Sequence, residues 1–167
     1  MTATFQSAAF AADDILAVTL SNENRMDICI TPYLHRAELS TLNDKNVRQS
    51  LMVKDGCLCW QNAPPLSVSA LLSLLRENAD IGCTIASAET GDDWRLYLQF
   101  QNGGCLSMEM EPLLEYSVFA PLVQSSLWKN LRAKKNSLLW EDESLRLELP
   151  MSTILRYFAQ DAGVTEK

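Results

Sequence analysis

His35 is the only histidine in this 167-residue chain, and that narrows the chemistry open to it. Ser-His-Asp and Cys-His nucleophiles need an imidazole to take the proton from the attacking hydroxyl or thiol. A lone histidine reads more simply as a surface residue. The five cysteines, Cys29, Cys57, Cys59, Cys83 and Cys105, are odd in number. Their spacing suits neither zinc pairs nor a secreted disulfide framework. Even Cys57-x-Cys59 reads as small buried hydrophobes in a reducing compartment. Glu109 and Glu111 alternate along one predicted strand, which describes a solvated face better than a glycosidase pair. Arg132, Lys134 and Lys135, with Lys129 nearby, read as a lysine-guarded hairpin edge. No phosphate loop, dinucleotide fingerprint or metal-binding motif occurs. The expectation is a protein that is not an enzyme, with no catalytic residue, no cofactor and no metal site.

Residues suited to binding remain. Trp94, Trp128 and Tyr116 are candidate partner-binding anchors, because exposed aromatics bury much area for little entropy. Trp128 follows the core-facing Leu127 on a short predicted helix and is expected to point elsewhere. The other reading is that these rings fill a seam inside the molecule. Glu141, Asp142 and Glu143 form an acidic run that could meet a basic partner. Asp and Glu number 21 against 14 Lys and Arg, a net charge of −7. That argues against direct nucleic-acid binding, which needs clustered cations to displace counterions. It suits another protein as partner, such as a toxin or a nucleic-acid-binding complex. Hydrophobic residues at 47% and charged residues at 21% describe a folded chain. No apolar run is long enough to cross a membrane, and the start lacks a basic signal region. The expected location is cytoplasmic, with no membrane.

The elements that position these residues come in two series. Shifting the first half by eighty residues brings Pro32 onto Pro112, Leu34 onto Leu114, Leu42 onto Leu122, Leu58 onto Leu138 and Trp60 onto Trp140. Nearer the start, Thr4 falls on Thr84, Asp13 on Asp93 and Asn22 on Asn102. Leu96, Leu98 and Phe100 alternate with polar residues, as do Leu106, Met108 and Met110, which predicts a hairpin. Leu16, Val18, Leu20, Met26, Ile28 and Ile30 take the same places in the first half. A shorter strand precedes each hairpin, within 3–10 and 83–90. Pro32 and Pro112 each open a helical turn, through Tyr33–Arg36 and Leu113–Tyr116. Short helices follow at 47–51 and 127–131, then hairpins, with Asp55-Gly56 turning the first. Ser67 or Ser69 caps a helix carrying Leu71, Leu72, Leu74 and Leu75. A matching helix is expected around Pro150, Ile154, Leu155 and Phe158, with a frayed tail from about 160. The fold class is α+β, two pseudo-symmetric copies of a small antiparallel sheet with helices, at 1–79 and 80–167. Trp60 and Trp140 match and read as core. Trp128 stands against Arg48, Trp94 against Asp14 and Tyr116 against Arg36, so those three are not obliged to be core.

The pattern of the second half resembles a family of small bacterial domains of unknown function, about eighty residues long. It consists of Leu96 to Phe100, Asn102-Gly103, Met108 to Glu111, Pro112 to Leu114, Phe119 to Leu122, Leu127 to Leu131, and Leu138 to Trp140. The first half follows it loosely, with Leu39 and Thr41 in place of the Phe and Pro of Phe-x-Pro-Leu. The resemblance implies an α+β unit often encoded beside a toxin-like protein or joined to a helix-turn-helix, and carries over no catalytic residue. The expected function is therefore a non-catalytic protein-binding regulator or inhibitor, antitoxin-like or of a phage anti-defence type. The alternative is an assembly subunit forming homo- or hetero-oligomers.

Overall fold

The computed structural model describes residues 2–160. Its first three strands, β1 (Phe5–Ala12), β2 (Ile15–Leu20) and β3 (Arg25–Cys29), form an antiparallel meander. After two short helices, α1 (Lys45–Arg48) and α2 (Val68–Glu77), and the helical turn α3 (Ala79–Gly82), a second meander begins. It comprises three strands in the order of the chain: β6 (Ile85–Thr90), β7 (Arg95–Phe100) and β8 (Cys105–Glu109). The two meanders join edge to edge into one six-stranded sheet, ordered β1-β2-β3-β8-β7-β6. The joint is antiparallel and short, pairing Arg25 with Ser107, Met26 with Leu106 and Asp27 with Cys105. Asn24, buried beside it, locks the joint. Its side-chain oxygen accepts from the Glu109 N–H at 2.9 Å, and its Nδ2 donates to the Phe158 carbonyl at 2.8 Å.

Period-two alternation sorts the faces of this sheet. Leu16, Val18, Leu20, Met26 and Ile28 are buried, as are Leu96, Leu98, Leu106 and Met108. The helix α2 lays Leu71, Leu72 and Leu75 beneath the first group, and it packs against α5 (Met151–Tyr157). Ser67 caps α2, accepting the Ala70 N–H at 3.2 Å. The hairpin turns are set by asparagine. Asn22 Oδ1 accepts the Asn24 N–H and Asn102 Oδ1 the Gly104 N–H, both at 3.0 Å. The residue between has a positive φ in each turn, 70° at Glu23 and 92° at Gly103.

Two small sheets complete the body. β4 (Met52–Lys54) and β5 (Cys57–Cys59) pair through the Asp55-Gly56 turn, whose φ values of 53° and 74° are those of a two-residue hairpin loop. β9 (Leu131–Ala133), β10 (Ser137–Glu141) and β11 (Arg146–Pro150) form the other, with α4 (Ser125–Trp128) just before it.

Two expectations need correction. The helix expected around Pro150 begins only at Met151, because Leu147 and Leu149 face Trp140 and Leu138 across a strand pair. Proline, lacking an N–H, ends that edge strand and caps the helix. The proline turns open as 3-10 helices at Thr31–Tyr33 and Glu111–Leu113 and continue through the expected positions, where the Arg36 N–H donates to the Tyr33 carbonyl at 2.9 Å and the Tyr116 N–H to the Leu113 carbonyl at 3.0 Å. Four of the five cysteines are only half-buried, and Cys83 alone is fully interior. The frayed tail lies outside the described residues beyond Gln160. Among the described residues, no helix is long and apolar enough to cross a membrane.

Candidate functional site

Trp128 lies inside the molecule. The reading that it turns away from the core fails, because the helix gives its exposed side to Ser126 and turns both Leu127 and Trp128 inward. Trp128 is 3% exposed, its indole N–H donates to the Gly91 carbonyl at 2.9 Å, and its ring stacks on Trp140 at 6.1 Å. Trp94 is half-buried and closes on Trp128 with centroids 5.0 Å apart. It holds a φ of 61°, a conformation that bulky residues rarely adopt. Tyr116 is 7% exposed and meets Tyr157 edge to face at 5.3 Å. As they stand, Trp128 and Tyr116 offer a partner almost no surface.

The residues eighty positions earlier explain what these rings do. Arg48, at the place of Trp128, is 8% exposed and pairs with Asp14, at the place of Trp94, at 2.9 Å. Its Nε donates to the Leu42 carbonyl at 2.7 Å and its guanidinium also reaches the Asp13 carbonyl. Arg36, at the place of Tyr116, pairs at 2.9 Å with Glu77 at the end of α2. The Arg48–Asp14 ion pair of the first half thus lies eighty residues before the Trp128–Trp94 contact of the second, and each ties a turn to the short helix beside it.

The acidic run is also engaged. Glu141, at the end of β10, pairs with Arg132 at 2.9 Å. Asp142 Oδ1 accepts the N–H groups of Ser144 and Leu145 at 2.8 and 2.7 Å, which hold its carboxyl below the usual range. Glu143 is exposed. Glu148, not singled out by sequence, gathers Lys134 at 3.0 Å and the Ser137 hydroxyl at 2.9 Å. Those donors hold its carboxyl low as well. His35 is exposed, as expected of a lone surface histidine.

Sequence reasoning missed the outer edge of β1. From Ser7 to Ala12 its backbone bonds to no strand other than β2 among the described residues. A hollow of about 570 Å³ runs beside it, lined by Ala8, Phe10, Lys45, Arg48 and Leu51 among others. Lys45 pairs with Asp13 at 3.6 Å at the mouth of this hollow. The opposite edge, β6, carries the exposed Glu89, and Asp92 follows in its turn. The signal available in sequence was compositional, since residues 7–12 read Ser-Ala-Ala-Phe-Ala-Ala without charge or proline. Edge strands are ordinarily protected by such residues.

Within the core, Tyr33 Oη lies 4.0 Å from Cys83 Sγ. The phenol fills the space above Gly82 so closely that a Cβ there would overlap it. Burial, opposed in part by the tyrosine contact, pushes the Cys83 thiol up to about 11, and burial raises Tyr33 too. These are packed groups without solvent access. No family model, no curated protein and no solved structure matches this chain.

Proposed function

We propose that the chain is a non-catalytic protein-binding regulator that captures an extended segment of another protein along the edge of β1. The observation that carries this reading is the uncharged, unpaired edge of Ser7–Ala12 beside an open hollow. A strand added to such an edge gains main-chain hydrogen bonds, while the hollow receives alternate side chains. The net charge of −7 favours a basic partner. An antitoxin-like neutraliser or an inhibitor of a nucleic-acid-binding complex is the form of regulator that fits, acting in the cytoplasm.

We read the architecture as two copies of one unit, in keeping with the resemblance of the second half to the small bacterial family. Several features support duplication. Positive φ recurs at Glu23 and Gly103. Backbone bonds recur at the same offset, as in Tyr33 to Ile30 and Leu113 to Met110. The β3–β8 register maps onto itself when the copies are exchanged about Met26 and Leu106. The paired replacement of Arg48–Asp14 by Trp128–Trp94 points the same way. On this reading the joint consumed one edge of each copy. Of the two outer edges left, the second acquired carboxylates and the first stayed bare.

The same edge favours a second reading, an assembly subunit that pairs β1 with β1 of another copy. The test combines light scattering with capture from the native host, using wild type and an Ala9→Lys/Ala11→Lys variant. Both alanines are exposed, so the lysines blunt the edge and spare the core. The expected outcome is a monomer that recovers one partner, loses it in the variant, and shows slowed amide exchange at 7–12 when bound. Undiminished recovery by the variant overturns the edge assignment. A concentration-dependent dimer abolished by the lysines transfers it to the assembly subunit.

A further inference from the structure

We propose that Met52, Cys57 and Cys59 bind a soft monovalent metal ion, Cu(I). The Asp55-Gly56 turn fixes the β4–β5 register so that Met52 stands opposite Cys59 and Lys54 opposite Cys57. Alternation sends Leu58 into the core, where it is fully buried, and turns the two cysteines to the other face. Met52, Cys57 and Cys59 all line one hollow of about 660 Å³, walled on one side by Trp60 and Pro65. The thiols are free and half-buried, and Met52 is 54% exposed.

The spacing suits a metal bridge. Residues directly opposite on antiparallel strands have Cβ atoms roughly 5 Å apart, and alternate residues on one strand have Cα atoms about 6.6 Å apart. A metal held at about 2.3 Å from each of three sulfurs sets them about 4 Å apart, a separation that side chains leaning together on one face would span. Two thiolates and a thioether make a soft, low-coordinate set, and such ligands select Cu(I). Zn(II) would need a fourth protein or water ligand in a tetrahedral site. Binding releases both thiol protons to solvent and leaves one net negative charge, which the Lys54 ammonium opposite Cys57 offsets. Among the described residues Lys54 forms no ion pair of its own.

The other half of the chain supplies the contrast. Eighty residues on, the positions of Met52, Cys57 and Cys59 hold Arg132, Ser137 and Leu139. There the hairpin is covered by the Arg132–Glu141 and Lys134–Glu148 pairs. All three sulfur residues are thus particular to one hairpin, on one face of it.

The test titrates the full-length reduced protein anaerobically with Cu(I), competed against a chromophoric Cu(I) chelator. Wild type should take up one equivalent, Cys57→Ser/Cys59→Ser none, and Met52→Leu one equivalent held more weakly. Cys29→Ser/Cys105→Ser should keep the full equivalent. Circular dichroism checks that each variant is folded. No uptake by wild type, full uptake by the folded Cys57→Ser/Cys59→Ser variant, or unchanged affinity in Met52→Leu would each overturn the three-sulfur site. So would Zn(II) displacing bound Cu(I).

Discussion

If Trp128 and Trp94 do the work that Arg48 and Asp14 do in the first half, the pairs should be exchangeable as pairs and not singly. Trp128→Arg alone places a guanidinium where the wild-type residue is 3% exposed, between Trp94 and Trp140. Loss of a buried tryptophan costs about 3–5 kcal/mol, and an unpaired buried charge costs a similar amount. The two overlap, because arginine still fills part of the volume and can still donate to the Gly91 carbonyl. The expected destabilisation is about 4 kcal/mol. Trp94→Asp alone loses a half-buried ring but relieves a positive φ that aspartate tolerates, for a net cost of about 1–2 kcal/mol. Together they restore a guanidinium beside a carboxylate, as Arg48 has in Asp14, and the double variant should recover about 2 kcal/mol relative to the sum. Urea unfolding of the four proteins, at matched m-values, measures that coupling. Additivity within about 0.5 kcal/mol would refute the equivalence of the pairs.

Two further outcomes follow from the turns and the core. Glu23→Gly should stabilise the fold by about 1 kcal/mol and Gly103→Glu destabilise it similarly, since both sites hold a positive φ and Gly103 has open space around it. Equal thermal midpoints for the two variants and wild type would contradict this. Cys83 should resist a thiol reagent at pH 8 in the native protein while the other four cysteines react. Its pKa is raised from 9.0 to about 11. The unfolded chain's thiol therefore ionises first, and stability that is intact below pH 9 falls as the pH climbs toward 11. The loss is roughly 2–3 kcal/mol at the upper end. Cys83→Ala should flatten that decline, leaving the part due to Tyr33, whose shift has the same sign. An unchanged alkaline profile would dismiss the thiol as its source.

Much of the fold was legible in the residues. Leu96, Leu98 and Phe100 announced a half-buried strand, Asn22 and Asn102 announced its turns, and Asp55-Gly56 announced a two-residue hairpin. Those signals are local, because each depends on residues within one turn or one period of two. Leu147 and Leu149 alternate at the spacing of a strand, a signal that the helix expected around Pro150 passed over. The binding residues were misread where burial depends on distant contacts. Trp128 has polar Arg48 as its counterpart, which argued for surface. But an arginine can be interior too when a carboxylate arrives from a turn 34 residues away.

The sequence by itself determined the alternation, the turns, the caps and the eighty-residue offset, because these are written in neighbouring side chains and backbone φ. Only the tertiary structure decided which strands meet at the β3–β8 joint and which ring or ion closes each seam. It also decided that the edge of β1 stays open and that Met52 stands beside Cys59. Those outcomes depend on packing between segments far apart in the chain, where several pairings satisfy the same local pattern and burial selects one.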